Sequence, residues 1–323
     1  MNVLLTGGAG YIGSTTANLL LDQNHNVTII DNLSTGNKKN IPKKATFIKS
    51  DINDRSIISK LFKKNTFDII IHFAAFIDVE ESVREPKKYI ENNYFKTKKF
   101  IEICKFYNHS KIIFSSTAAV YGDSKLGVIN ENAKLNPTSP YAISKFKSEN
   151  FIKSNNVNYV ILRYFNVAGA DLRMRSGLIS KKKSTHLIKK ICESYFNKKK
   201  LEIYGSNYPS VDGTAIRDYI HVSDLALAHI QAAKYLIKDN KSIILNCGYG
   251  KGYSVKKVID TFNKMRREKI KYIYTKKRAG DLFKLVANIS LLKKKLKWHP
   301  KNNSLKKILE SSLKWEKKLN KND

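Results

Sequence analysis

Tyr141 and Lys145 stand four residues apart, a spacing that sets a phenol and an ammonium on one face of a helix, one turn from each other. A phenol with a pKa of about 10 is a poor base at neutral pH. A neighbouring lysine cation favours the phenolate and brings it toward the working range. A hydroxyl such as that of Thr117 can then relay a proton from a substrate alcohol. Spacing alone selects nothing here, because the 17 tyrosines make seven Tyr-x-x-x-Lys pairs. Context separates them. Ser139 and Pro140 precede Tyr141 as helix cap and first helical residue, which fixes the geometry of the pair. The rival pair Tyr121 and Lys125 straddles Gly122-Asp123 in an expected loop. Thr117 follows the apolar run Ile112 to Ser116 and so sits just off the end of a strand.

Those side chains need a cofactor beside them, and the first fourteen residues supply its seat. Val3 to Leu5 reads as a buried strand, glycines fall at Gly7, Gly10 and Gly13, and Ile12 with Leu19, Leu20 and Leu21 continues as a helix. Strand, glycine turn and helix together make a dinucleotide site. Glycine lets the backbone approach a pyrophosphate whose charge meets the helix N-terminus. A second apolar run, Val27 to Ile30, ends at Asp31, near the ~20-residue offset of the carboxylate that holds the adenosine ribose. A carboxylate there repels a 2′-phosphate, so the cofactor is NAD rather than NADP.

The elements that carry these residues alternate. Ser34 to Asn37 reads as a loop, Thr46 to Lys49 as a strand running into Ser50-Asp51-Ile52, and Asp54 as the cap of a helix through Phe62. Asp68 to Ala75 reads as a buried parallel strand ending in the small residues Ala74 and Ala75, which let a ring or ribose come close after Phe73. A long helical stretch is expected from roughly Pro86 to Tyr107, with Asn92-Asn93 in its middle, and a further strand from Val157 to Arg163. This is an α/β pattern, a Rossmann-like doubly wound parallel sheet whose ligands lie at the carboxyl ends of the strands. Thr6, Asp31, Asp51, Ala74, Thr117 and Asn166 all fall there. Beyond Asn166 the pattern loosens into a smaller C-terminal α/β lobe. Helices are expected near 184–197, 222–238, 254–267 and 304–317, with short strands at Leu201-Tyr204, Ile216-Ile220, Ile243-Asn246 and Lys271-Tyr274. The division is residues 1–166 for NAD and 167–323 for substrate, with segments around 212–247 returning to the first part.

A formal charge of +33 over 323 residues raises the question of nucleic acid. Its distribution answers against it. Only nine of the 60 basic residues are arginine, the side chain suited to bidentate base and phosphate recognition, and lysine is spread through nearly every helix. No specific nucleic-acid partner is expected, and no apolar stretch approaches the ~18 residues of a membrane span. With a strand beginning at Asn2, the N-terminus is not expected to be a secretory signal. Cys104, Cys192 and Cys247 are odd in number and lack metal-ligand spacing, which points to a reducing cytoplasm and no metal.

With these motifs in place, the chain resembles the extended short-chain dehydrogenase/reductase superfamily and, within it, the UDP-glucose 4-epimerase family. The resemblance runs over nearly the whole chain. It is carried by Thr6-Gly7-Gly8-Ala9-Gly10-Tyr11-Ile12-Gly13, Asp31-Asn32, His72-Phe73-Ala74-Ala75, Glu81-Ser82-Val83, Asn92-Asn93, Ser115 to Gly122, Ser139-Pro140-Tyr141 with Lys145, and Arg163-Tyr164-Phe165-Asn166. More specific are Asp212 to Val222 and Arg278-Ala279-Gly280-Asp281. The resemblance implies that Gly7, Gly10, Tyr11, Ile12, Gly13, Asp31, Asn32, Asp51, Ile52, Phe73, Ala74, Ala75, Asn92, Tyr141, Lys145 and Phe165 hold NAD. It implies catalysis by Tyr141, Thr117 and Lys145, and a UDP-sugar held by Thr117, Tyr141, Asn166, His186, Leu187, Arg217, Arg278, Asp281 and Leu285. The implied reaction oxidises the sugar at C4, turns the 4-keto intermediate and reduces its other face, interconverting UDP-glucose and UDP-galactose in a homodimer. Ile77, His186 and Lys189 depart from the family, standing where some members have lysine, asparagine and proline. Leu285 stands where the family sets the space beside the sugar, so UDP-N-acetylglucosamine and UDP-pentose epimerisation remain the alternatives. A dehydratase needs extra acid and base groups after Thr117, where this chain has Ala118-Ala119. A decarboxylase shares the scaffold, and a non-catalytic NAD sensor has no need to keep Thr117, Tyr141 and Lys145 together.

Overall fold

The computed structural model describes residues 1–122, 127–180, 184–277 and 282–321. Apolar runs of the first half become strands separated by helices: β1 (Asn2–Thr6), α1 (Tyr11–Asp22), β2 (Asn26–Ile30), β3 (Thr46–Ile48), α2 (Arg55–Lys64) and β4 (Ile69–His72). There follow α3 (Val79–Arg84), α4 (Pro86–Ile90), α5 (Lys96–Phe106), β5 (Lys111–Thr117), β6 (Val128–Ile129), α6 (Pro140–Lys153) and β7 (Asn158–Tyr164). The second half gives β8 (Asn166–Ala168), α7 (Leu187–Asn197), β9 (Leu201–Tyr204), β10 (Ile216–His221), α8 (Val222–Asp239) and β11 (Ile243–Cys247). It closes with β12 (Gly252–Ser254), α9 (Val255–Lys264), β13 (Tyr272–Thr275), β14 (Lys284–Ala287), α10 (Ser290–Leu296) and α11 (Leu305–Lys321).

Seven of the strands form one parallel sheet in the order β11-β7-β5-β4-β1-β2-β3. The chain leaves β1 outward to β2 and β3, then returns to place β4 on the other side of β1. That reversal opens the crevice at which doubly wound sheets bind ligands. Alternate residues of each strand feed opposite faces, as the pleat requires. Val3 and Leu5 of β1 enter a core shared with α1 and α8, whereas Leu4 enters a second core with Ile58, Phe100 and Ile152 of α2, α5 and α6. Both faces are therefore covered, and the strands read as continuous apolar runs.

The second sheet runs β12-β10-β14-β6 with β8 beside β10, and β9 pairs with β13. Segments cross between the two sheets in both directions. β11 completes the parallel sheet from the second half of the chain, and the short β6 joins the second sheet from the first half. The long helical stretch expected from roughly Pro86 to Tyr107 is present without a break, as α4 and α5 joined by a π-helical turn over Glu91–Phe95. Asn93, in that turn, is buried. The strands β6, β8, β12 and β14, two to four residues long, and the short helices α3 and α10 were not anticipated. Among the described residues no helix is long and apolar enough to cross a membrane.

Candidate active site

The glycine turn follows β1 directly. Gly7 has φ of +70°, and a Cβ placed on it would lie 2.6 Å from the Ala74 amide nitrogen, so only glycine lets the ends of β1 and β4 meet this closely. A Cβ on Gly13 would stand 2.5 Å from the Gly7 carbonyl oxygen. Helix α1 begins at Tyr11 with no side-chain cap and no acidic residue in its first turn, so its N-terminal amides face the crevice. Ile12 lies in the same first turn, partly buried.

Asp31, at the end of β2, is buried and accepts hydrogen bonds from the amides of Ala9 (3.0 Å) and Leu33 (2.8 Å). Gly36 lies so close that a Cβ there would come within 2.8 Å of the carboxylate. Beyond β3, Asp51 accepts from Asn32 at 2.9 Å and pairs with Lys96 at 2.6 Å. Burial alone would raise the Asp51 carboxyl, but Lys96, the Asn53 amide and Asn32 outweigh it and hold it below the usual range. Ile52 is buried beside it.

After β4, the Phe73 amide donates to the Thr6 carbonyl at 2.9 Å, and Ala74-Ala75 line the crevice opposite the glycine turn. The next residue is held by an amide of the π turn. Asn93 accepts from the Phe76 amide (2.8 Å), donates to the Phe76 carbonyl (2.9 Å) and donates to Ser144 (3.1 Å). Asn92, named from the sequence, is only partly buried and donates to Asn93 at 3.0 Å. Asn93 is thus the side chain that ties the strand-end loop to α6, and sequence spacing gave no reason to prefer it over its neighbour. His72 was also overlooked. It bridges Thr6 at 2.6 Å and Thr97 at 2.9 Å, and burial, with the Lys145 cation nearby, pushes it down to about 3.

Helix α6 starts as its sequence demands. Ser139 accepts from the Ala142 amide at 3.2 Å and Pro140 is the first helical residue. Tyr141 lies beside Thr117, the last residue of β5. Burial raises the Tyr141 phenol above its ordinary value, and the Thr117 hydroxyl is the opposing influence. Lys145 sits with its Nζ 4.7 Å from the Phe114 ring centroid. Burial pushes Lys145 down to about 7 against the pull of Glu149. Lys145 is buried within the crevice wall. The glycine turn that a Cβ would block, the uncapped start of α1 and the carboxylate at the end of β2 fit a nicotinamide dinucleotide. Phe165, buried at the end of β7, donates its amide to the Cys247 carbonyl at 2.9 Å.

A cavity next to this crevice is lined by Tyr11, Asn166, His186, Leu187, Lys189 and Tyr219. Tyr11 closes it by donating to the Gly169 carbonyl at 2.6 Å, which joins the glycine turn to the second lobe. Burial lowers the His186 imidazole. Lys189, a departure noted in the sequence, is accommodated by a buried pair with Glu316 at 2.5 Å between α7 and α11. Arg217 and Leu285 are register partners on β10 and β14. The Arg217 guanidinium donates to the Ile216 carbonyl at 2.8 Å, and Leu285 is buried. Arg278 and Asp281 lie outside the described residues.

Fold and site together define a dinucleotide-binding α/β protein whose Tyr/Lys pair faces the crevice beside a strand-end hydroxyl. The chain belongs to the NAD dependent epimerase/dehydratase family, whose sequence model matches residues 3–248. It is 39% identical to the UDP-glucose 4-epimerase of Azospirillum brasilense over 98% of this chain and 92% of that protein. It is similar to a solved UDP-glucose 4-epimerase of Stenotrophomonas maltophila with bound NAD and formylated UDP-arabinopyranose, with TM-score 0.95, 29% identity and 100% of both chains covered. It is also similar to the UDP-Glc/GlcNAc 4-epimerase of Campylobacter jejuni, with TM-score 0.85, 41% identity, and 98% of this chain and 99% of that one covered.

Proposed function

We propose that this chain is an NAD-dependent 4-epimerase interconverting UDP-glucose and UDP-galactose, with residues 1–166 as the cofactor platform and 167–323 as the substrate lobe. The observation that carries the reading is the placement of Tyr141 beside Thr117, with Lys145 one turn along the same helix. Gly7, Gly10 and Gly13 with the first turn of α1 would hold the pyrophosphate of NAD, and Asp31 the adenosine ribose. Asn32, Asp51 and Ile52 would flank the adenine, and Phe73, Ala74, Ala75, Asn92 and Phe165 the remainder. When bound, NAD supplies a reversible two-electron acceptor. Lys145 binds the nicotinamide ribose and holds positive charge near the phenol. Tyr141 takes the proton of the sugar 4′-hydroxyl, directly or through Thr117, and returns it once the sugar has presented its other face. Asn166, His186, Leu187, Arg217, Arg278 and Asp281 hold the UDP end so that only the sugar turns.

The same reading includes a homodimer and a cytoplasmic setting. Exposed Ile77, Val79, Val83 and Phe95, within one stretch of chain, offer apolar surface to a second copy, and the three cysteines are all buried and free. The deciding experiment incubates the purified chain with UDP-galactose and follows UDP-glucose formation. Turnover supports the reading, and none, with NAD bound or supplied, ends it. Sedimentation of the same sample reports the dimer.

A further inference from the structure

Eight residues after Tyr141 and four after Lys145, helix α6 buries a carboxylate completely. Glu149 is 0% exposed. Its three hydrogen bonds all come from strands of the parallel sheet. Arg163 of β7 donates through Nε at 3.1 Å and Nη2 at 2.7 Å, and Ser116 of β5 donates its hydroxyl. Ser116 immediately precedes Thr117, and Arg163 stands two residues before Phe165. The guanidinium is anchored in turn, donating to the Tyr121 hydroxyl at 3.0 Å, which donates to Asn246 of β11 at 2.7 Å.

We propose that Glu149 is a positioning residue for the oxidation step, locking the Tyr141–Lys145 face of α6 against the strand ends that carry Thr117 and Phe165. This role rests on the epimerase reading given above. Residues at i, i+4 and i+8 drift by only about 80° around a helix, so Glu149 fixes the rotation of the face that bears the phenol and the ammonium. Apolar contacts would hold the helix down without setting its rotation, whereas a bidentate guanidinium–carboxylate pair is directional. Stability alone does not call for such a group, since buried ion pairs are often replaced by apolar residues at no loss. A displacement of about 1 Å at the reacting groups is enough to cost about 10²-fold in rate.

The test uses full-length chain with NAD bound. Glu149→Gln keeps the shape but turns an amide donor toward Arg163. Its kcat on UDP-galactose should fall about 10²-fold, with KM within about threefold of wild type and bound NAD retained. The double variant Glu149→Leu/Arg163→Met removes both charges and should recover the wild-type melting temperature while kcat stays low. Ser116→Ala, which leaves the ion pair whole and should fold in any case, should lower kcat several-fold at unchanged KM. Wild-type kcat in Ser116→Ala and Glu149→Gln, or kcat restored together with stability in the double variant, overturns the proposal and leaves the pair a packing feature. Losses confined to KM or to NAD content overturn it as well. Wild-type protein that does not turn over UDP-galactose instead removes the epimerase reading on which the role rests.

Discussion

At the level of single residues, the proposed reaction needs a phenol and a hydroxyl side by side, and Tyr141 and Thr117 stand so. Tyr141→Phe removes the base while leaving the ring that packs. We expect it to keep its fold and bound cofactor and to lose about 10²–10⁴-fold in kcat, the span of a general base. A stopped assay of UDP-glucose formation checks this, and near wild-type turnover removes Tyr141 from the role. Leu285 belongs to the same scale. It sits beside Arg217 across the β10–β14 pair and lacks a hydrogen-bond donor. An apolar size filter of this kind discriminates by about 1–3 kcal/mol. Plain UDP-hexoses should therefore be preferred, and Leu285→Ser should raise kcat/KM for UDP-N-acetylglucosamine relative to UDP-glucose. An unchanged ratio means another residue is the gate. The cap before Tyr141 and the strand end at Thr117 were legible in the sequence because both are local features. The bonds of Asn93 to Phe76 and Ser144 were not, because those partners lie elsewhere in the chain.

At the level of elements, the glycine turn sets how closely β1, β4 and α1 approach. Gly13→Ala would bring a Cβ within 2.9 Å of the Gly8 Cα and closer still to the Gly7 carbonyl, both backbone atoms that cannot swing aside. The turn must open, at a cost of about 1–3 kcal/mol as for other overpacked sites. The expected outcome is a lower melting temperature and loss of co-purifying NAD, read from the dinucleotide absorbance released on denaturation. A variant that retains full NAD content would show that α1 does not set the pyrophosphate seat. Helix α6 illustrates what an element's sequence does and does not carry. Its start at Ser139-Pro140 is written locally, whereas the bond that fixes its rotation joins Glu149 to Arg163, a partner on another element chosen by the sheet.

At the level of the whole molecule, three buried histidines give the fold an acid limit. Burial pushes His72 down to about 3 and both His221 and His229 to about 4, from an ordinary 6.5. Their folded values lie below their unfolded ones, so the unfolded chain takes up the extra protons first. Their contribution is whole above about 6.5 and falls as pH drops toward about 4, by about 1.4 kcal/mol per pH unit for each histidine. Asp218, which burial holds up at about 6 despite amides from Tyr249, Ala287 and Gly250, acts in the opposite sense and offsets about one of the three. Thermal melts between pH 7.5 and 4.5 should show a steady fall in melting temperature. A flat profile would mean that these imidazoles are not kept neutral. The sequence by itself determined the repeated strand–helix units, the glycine turn after β1, the acidic residue at the end of β2 and the Tyr/Lys spacing on α6, because periodicity, capping and turn chemistry act within a few residues. Only the tertiary structure decided that β11 closes the parallel sheet, that Lys189 finds Glu316 and that Glu149 finds Arg163. Those pairings join residues far apart in the chain, and a buried charge or sheet edge takes whichever partner the finished packing brings within reach.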